Sequence, residues 1–402
     1  MGAAYERTAA LDASFHMPTY ARKPVLFASG HGMRLTGDDG REYLDFVAAI
    51  GSVNLGHAHP RVAEAVCRQM TRLVQTSNLY HVEHRSELAE ALVALFGGGA
   101  KVFFANSGAE ANEGAIKLAR AWGRVRGGPE CHRIVTIERS FHGRTLATLA
   151  ATGQPSKQEL FEPLPAGFSH VPLNDLAALA EAVDERTCAV MLEPILGESG
   201  VWPGEPGYLE GVAALCEERG ALLMLDEVQT GIYRTGPAFA HQALGVRPHV
   251  MTLAKSLANG LPVGALVAID EVAVTFGPGD HGSTFGGGPV VCAAALAALA
   301  AHAEERTGEN AVRAGEHLRA GLRGLAARNG RVAEVRGAGL MNAVTLAEPV
   351  AQRVAAAALD RGFVLNAIGD SILRFLPPLT CDTPEIDTLL AALDELLTEV
   401  PS

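Results

Sequence analysis

From about residue 101 to residue 270, short apolar runs alternate with segments whose apolar residues recur at helical spacing. The clearest runs are KVFFAN, RIVTIE, CAVMLEP, ALLMLDE, HVMTLAK and GALVAI. That rhythm predicts an α/β fold: a mostly parallel sheet with helices on both faces. Ligands of such sheets collect beyond the carboxyl ends of the strands. The chemistry is therefore expected just after these runs, where NSGAEAN, EPILGE, DEVQ and AKSLANG stand.

The two ends of the chain read differently. MRLTGDDGREYLDF predicts a hairpin turning at Asp39-Gly40. TPEIDTLLAALDELLTEV puts Ile386, Leu389, Leu390, Leu393, Leu396, Leu397 and Val400 on one helical face, with Pro384 near its start. We therefore expect a large domain over residues 56–289 and a smaller α+β domain assembled from residues 1–55 and 290–402. No internal repeat or long low-complexity linker interrupts this plan.

Composition narrows the partners. A 402-residue chain that is 48% hydrophobic and 19% charged can bury a large core or two adjoining ones. Its formal net charge of -12 offers no broad basic field to nucleic acid or to an anionic membrane, though single arginines can still bind small anions. Small-molecule partners are expected. The six cysteines are scattered without a C-x-x-C pair, as in a protein with reduced thiols. MGAAYERTAA lacks the apolar core of a signal peptide, and Glu6 departs from the myristoylation pattern. The apolar block Pro289 to Ala301 is shorter than the roughly 20 residues a membrane span needs. The expected location is the cytoplasm. His57 and His59 in GHAHP and His81 and His84 in YHVEH do not match H-E-x-x-H, and no cysteine set completes a tetrahedral site, so no metal is expected.

Three positions carry candidate chemistry. ALLMLDEVQTG ends a nearly unbroken apolar run in Asp226 and Glu227. An ionised carboxylate buried there costs several kcal/mol unless a cation or donor meets it. Capping of the next turn is one way to satisfy Asp226, and a Walker B strand is another reading of the acidic pair. A P-loop, however, needs Gly-Lys-Ser/Thr, and none of Lys23, Lys101, Lys117, Lys157 and Lys255 follows a glycine. A dinucleotide fingerprint is also missing, for RGAGLMN has only the first half of G-x-G-x-x-G.

FFANSGAEANEGAIKLAR passes from a strand through Ser107-Gly108 into an amphipathic helix. Amides at that helix start can hold a phosphate, with Gly108 allowing close approach. Ser107 and Glu110 also form S-x-x-E, a capping box that needs no ligand. Lys255 ends the run HVMTLA before SLANG. Partly desolvated at a strand mouth, its amine would have a lowered pKa and reach the neutral form that condenses with an aldehyde. An ion pair with Asp226 is the plainer alternative.

An aldehyde-seeking lysine, a carboxylate and a phosphate-binding helix start converge on pyridoxal 5'-phosphate, whose aldehyde, ring nitrogen and phosphate want those three partners. The motif series NSGAEANE, FHGRT, LDEVQTG, TLAKSLANG, HGSTFGGGP and LRFLPPL resembles that of class III aminotransferases, most of all the acetylornithine aminotransferases, in order from about residue 20 to 395. The resemblance implies a fold-type-I pyridoxal-phosphate enzyme acting as a homodimer.

By matching motif, Lys255 is then the lysine that carries the cofactor and shuttles the proton. Asp226 pairs the ring nitrogen and Gln229 reaches the ring hydroxyl. Phe141 stacks on one ring face and Val228 packs on the other. Ser107, Gly108 and Ala109 hold the phosphate, joined by Thr284 from the partner subunit, with Ser283 a substrate contact. Arg144 matches the family's carboxylate-binding arginine, although its residue context alone fits a surface salt bridge. Glu198 and Arg374 match a pair that acts as a gate: closed while the amine donor binds, open to free Arg374 for the α-carboxylate of 2-oxoglutarate or glutamate. Two stretches depart from the family, Tyr233 before RTG where glycine is common, and Tyr80-His81 after SNL.

The resemblance implies transfer of the terminal amino group of N-acetylornithine to 2-oxoglutarate in arginine biosynthesis. Ornithine, succinylornithine, succinyldiaminopimelate, lysine and 4-aminobutyrate are the alternative donors. A nucleotide-binding enzyme is the remote alternative.

Overall fold

The computed structural model describes residues 2–401. Its centre is a sheet of strands β1 (Ala100–Ala105), β2 (Arg133–Ile137), β3 (Phe168–Val171), β4 (Thr187–Leu192), β5 (Leu222–Asp226), β6 (Val250–Leu253) and β7 (Gly264–Ile269). Their spatial order is β1-β7-β6-β5-β4-β2-β3. Neighbours from β6 to β3 run parallel, whereas β7 is antiparallel to both β6 and β1. Strand β7 is thus the one reversed member, and the carboxyl ends of the other six open on the same edge.

Period-two geometry builds two cores from one strand. In β5, Leu222 and Met224 enter a core with Ile116 and Leu118, while Leu223 and Leu225 enter one with Val135 and Val212. Strand β4 splits alike: Ala189 and Met191 to the first core, Val190 and Leu192 to the second. Both faces being dry, every residue of β4 and β5 is buried. Edge strand β3, FSHV, is buried only at Val171, and it is the strand that the sequence pattern does not single out. The alanine-rich helix Pro289–Glu304 is buried as well, packing Cys292, Ala295 and Ala298 in a core with Leu253 and Leu257.

The chain ends share a separate core. Strands Phe27–His31, Arg34–Gly37 and Glu42–Asp45 continue through a parallel pairing with Phe363–Val364 near the other end. The hairpin between Arg34–Gly37 and Glu42–Asp45 turns over Asp39 and Gly40, with Gly40 at φ +80°. A second four-stranded sheet includes Val332–Ala338, Met341–Leu346 and Ile372–Phe375. Helix Thr383–Glu399 buries Ile386, Leu389, Leu393, Leu396 and Leu397 against Met33, Phe46 and Phe375. Its start is fixed by a reciprocal cap: Glu385 N donates to Asp382 Oδ1 at 2.9 Å, and Asp382 N donates to Glu385 Oε2 at 3.0 Å.

Among the described residues no helix is long and apolar enough to cross a membrane. The six cysteines are free, and all but Cys67 are buried.

Candidate active site

At the carboxyl edge of the large sheet lies a cavity of about 400 Å³. It is lined by ten of the predicted residues: Ser107, Gly108, Ala109, Phe141, Arg144, Glu198, Asp226, Val228, Gln229 and Lys255.

The acidic pair divides its labour because Asp226 closes β5 and Glu227, the residue after it, faces the opposite way. Asp226 turns to the cavity and is 4% exposed. Its Oδ2 accepts from Asn112 Nδ2 and from His142 Nδ1, both at 2.8 Å, and its Oδ1 accepts from Val228 N at 3.0 Å. Facing an ionised carboxylate, His142 Nδ1 must carry the proton. Asn112 is itself locked, donating also to the His142 carbonyl at 2.8 Å and accepting from Thr252 Oγ1 at 2.6 Å. Glu227 points away and accepts from Thr230 Oγ1, Ala240 N and His241 N at 2.7–2.8 Å. That buried role explains the acidic pair without Mg-nucleotide.

The helix Gly108–Gly127 starts directly beyond β1. Glu110 N donates to Ser107 Oγ at 3.2 Å, but the Glu110 carboxylate reaches past Ser107 to Asn106, accepting from its backbone N at 2.9 Å and its Nδ2 at 2.7 Å. Only half of the S-x-x-E box forms. A Cβ at Gly108 would lie 2.9 Å from Val228 Cγ1, so glycine is required for the loop after β5 to approach this helix start.

Lys255 opens the 3-10 turn Lys255–Ala258 after β6 with φ +46°, a left-handed conformation unusual for a side-chain-bearing residue. Among the described residues it forms no ion pair with Asp226. Burial lowers its pKa from the ordinary lysine value; Glu198 opposes the shift and Arg374 adds to it.

Arg374 comes from the second small sheet. It is 2% exposed and donates through Nη1 to Glu198 Oε1 at 2.7 Å and to the Gly197 carbonyl at 3.0 Å, and through Nε to Asn366 Oδ1 at 2.9 Å. Gln229 Nε2 donates to the same Glu198 oxygen at 3.1 Å. Burial favours the neutral Glu198 carboxyl, yet the charges of Arg374 and then Lys255 outweigh it and hold the pKa down to about 2. Arg144 is exposed, with its guanidinium 5.7 Å from the Phe141 ring centre, and no carboxylate among the described residues pairs with it.

Ser283 and Thr284 are not among the cavity's lining. They border a neighbouring hollow with Asn106 and Glu110, where Ser283 Oγ accepts from Asn106 Nδ2 at 3.0 Å. Tyr80 is 66% exposed. Tyr233 is half-buried against His302 at φ +64°, so a tyrosine here occupies a backbone conformation that glycine adopts freely. His57, His59 and His84 each lie within 3.0 Å of a carboxylate, from Asp45, Glu305 and Glu87.

Sequence reasoning missed Asn112, His142 and Glu193. Glu193 is buried and accepts from Phe141 N at 2.8 Å and Gly197 N at 3.0 Å. Burial pushes its carboxyl up to about 7; His142 opposes that shift and Asp226 reinforces it. A usable signal existed for two of the three: Asn112 is a polar residue on the buried face of an otherwise alanine-rich helix, and His142 adjoins Phe141 in FHGRT.

The residues fit a pyridine-ring phosphate cofactor. Among the described residues Asp226 Oδ1 accepts from Val228 N alone, which leaves acceptor capacity for a ring N–H. The helix start offers amides and a hydroxyl, Gly108 keeps the approach open, and an amine of lowered pKa shares the cavity. A mostly parallel sheet with this donor set at its carboxyl edge defines a pyridoxal-phosphate-dependent transferase of fold type I.

Comparison with known proteins agrees. The family model for aminotransferase class-III matches residues 17–397, and the chain belongs to that family. It is 46% identical over 384 residues to an acetylornithine aminotransferase of Caldanaerobacter subterraneus subsp. tengcongensis, covering 96% of this chain and 97% of that one. It is 48% identical over 386 residues to an acetylornithine aminotransferase of Gloeobacter violaceus, covering 96% of each. The crystal structure of the ornithine aminotransferase from Toxoplasma gondii superposes with a TM-score of 0.95 at 33% identity, covering 98% of this chain and 95% of that one. The chain is thus a pyridoxal-phosphate-dependent aminotransferase.

Proposed function

We propose that the protein moves the terminal amino group of N2-acetyl-L-ornithine to 2-oxoglutarate, giving N-acetyl-L-glutamate 5-semialdehyde and L-glutamate, as a step of arginine biosynthesis in the cytoplasm. The observation that carries the two-substrate part is the pairing of buried Arg374 with half-buried Glu198 beside the Lys255 amine. The names of its relatives favour the donor.

Bound pyridoxal phosphate supplies an electron sink for the carbanion that forms when the substrate loses a proton. Lys255 would hold the cofactor and, as a neutral amine, would take that proton from the substrate carbon. Asp226, fixed by Asn112, His142 and Val228 N, would keep the ring nitrogen protonated. Ser107, Gly108 and Ala109 would hold the phosphate, Phe141 and Val228 would hold the ring, and Gln229 would serve its hydroxyl, all of them lining the one cavity. Arg144 grips a substrate carboxylate bidentately. Glu198 covers Arg374 while the donor is bound, then releases it to the α-carboxylate of 2-oxoglutarate.

The reading includes a homodimer in which a second copy supplies Thr284 to the phosphate and Ser283 to the substrate. Two observations support it. Thr284 is outside the cavity formed by its own chain. Beside it, Leu79 is 88% exposed and Phe285 66%, on two loops joined by Asn78 Nδ2 donating to the Ser283 and Gly286 carbonyls, an apolar surface suited to a partner. The division into two domains belongs to the same proposal; the burial of helix Pro289–Glu304 with Leu253 and Leu257 favours a second boundary after Glu304.

The test is kcat/KM for N-acetylornithine against ornithine, succinylornithine, succinyldiaminopimelate, lysine and 4-aminobutyrate, each with 2-oxoglutarate. Preference for N-acetylornithine is expected. A higher value for any other donor would replace the substrate and keep the mechanism.

A further inference from the structure

Glu198 sits on a tight excursion of the chain. Ile195–Leu196 pairs antiparallel with Trp202–Pro203, and residues 197–201 form the loop between them. The near end is fixed by Glu193, which accepts from Gly197 N, and by Arg374, which donates to the Gly197 carbonyl.

The far end is fixed by a residue the mechanism does not use. Arg336, on strand Val332–Ala338, is 8% exposed. Its Nε donates to the Gly200 and Val201 carbonyls at 2.9 Å and its Nη2 to Gly200 at 2.7 Å. Nη1 is held by Glu334 at 2.8 Å and Thr345 Oγ1 at 2.6 Å, which aims the guanidinium. The same group lies 3.5 Å from the Trp202 ring centre, with Arg139 at 4.6 Å from that centre. Trp202 Nε1 donates back to the Ser199 carbonyl at 3.0 Å, next to Glu198.

The loop pays for this bracing in backbone strain. Val201 is fully buried at φ +58°. Gly200 lies at φ +121°, where a Cβ would come within 2.6 Å of Ile372 Cδ1, on the strand that carries Arg374. Strained conformations persist where surrounding contacts over-determine them. Here the over-determining contacts come from Arg336 and Trp202.

We propose that Arg336, stacked on Trp202, is a positioning residue that fixes loop 197–201, sets how firmly Glu198 covers Arg374, and so sets the enzyme's partition between its two substrates. The gate is then a side-chain swing on a rigid loop. This inference rests on the gate reading of Glu198 and Arg374.

The test measures KM and kcat for each half-reaction in the holoenzyme, for Glu198→Ala, Arg336→Met, Trp202→Phe and the double variant Glu198→Ala/Arg336→Met. With Arg336 removed, the closed pair loosens. KM for the amine donor should rise and KM for 2-oxoglutarate fall or hold, raising their ratio roughly fivefold, while kcat of the two halves moves little. Trp202→Phe keeps an apolar plate and loses the Nε1 bond to Ser199, so it should shift the ratio the same way by less, and it serves if Arg336→Met does not fold. The double variant should match Glu198→Ala alone, because Arg336 acts through Glu198. A ratio moved by Glu198→Ala but by neither Arg336→Met nor Trp202→Phe overturns the inference and leaves the gate intact, as do additive effects in the double variant. A ratio unmoved by Glu198→Ala overturns the gate reading and this inference with it.

Discussion

Asp226 and Glu198 are carboxylates of one cavity, held in opposite ways. Asp226 ends a central strand, and its three donors among the described residues come from a helix, the segment after β2 and its own loop. Glu198 stands on a loop with a side chain 27% exposed, and its main partner is one arginine. A carboxylate with several fixed donors has nowhere better to go, so it serves a constant task. One with a single strong partner can exchange that partner for a substrate. On the proposed reading, the sheet edge carries the chemistry common to both half-reactions, and the junction with the small C-terminal sheet carries the choice between substrates.

The strongest way to break this comparison is Asp226→Ala. Loss of the carboxylate proposed to pair the ring nitrogen should lower kcat of both half-reactions by about 100-fold or more, with the donor-to-acceptor KM ratio unchanged. Stopped-flow measurement of each half checks this. A change confined to one half would contradict a shared role.

His142→Phe should have a smaller effect of the same shape. Asp226 would lose one of three donors, a cost of about 1–2 kcal/mol, or roughly five- to thirtyfold in kcat of both halves. The same stopped-flow experiment reads it.

Glu198→Gln sharpens the other side through pH. The Glu198 pKa is held near 2, below its ordinary 4.5, so the unfolded chain takes up its proton first on acidification. Its stabilising share is present above about pH 4.5 and is lost as pH falls from there towards 2. Unfolding free energies across that window should fall less steeply for Glu198→Gln than for the wild type. Parallel curves would remove the charge pairing from the account.

Tyr233→Gly should do least, since this residue touches neither carboxylate. Relief of the left-handed backbone, on the order of 1–2 kcal/mol, opposes the loss of packing against His302. Denaturant unfolding is expected to show a net change within about 1 kcal/mol, with both KM values unchanged.

The sequence made the sheet edge legible because its signals are local. An apolar run closed by Asp226, another closed by Lys255, and a Ser-Gly entry to a helix can each be read within a dozen residues. Strand β3 escaped because only Val171 of its four residues is buried, so FSHV shows no apolar run. The cap at Asp382 is spelled by D-x-x-E, a signal that stands beside Pro384 at the same helix start. Asn112 and His142 were hidden for another reason: they meet Asp226 across 114 and 84 residues of chain, and only the packed fold brings them together. The bracing of loop 197–201 by Arg336 is equally nonlocal, spanning 136 residues to Gly200.

The central claim is that this one cavity runs two amine-transfer halves on a lysine-held cofactor. The most direct test is the visible spectrum of the pyridoxal-phosphate-loaded protein after adding N-acetylornithine alone, followed by 2-oxoglutarate. The band of the lysine-held cofactor should bleach to the pyridoxamine form and then return. A band that persists with every amine donor, or a protein that gains no such band when supplied with the cofactor, would contradict the account.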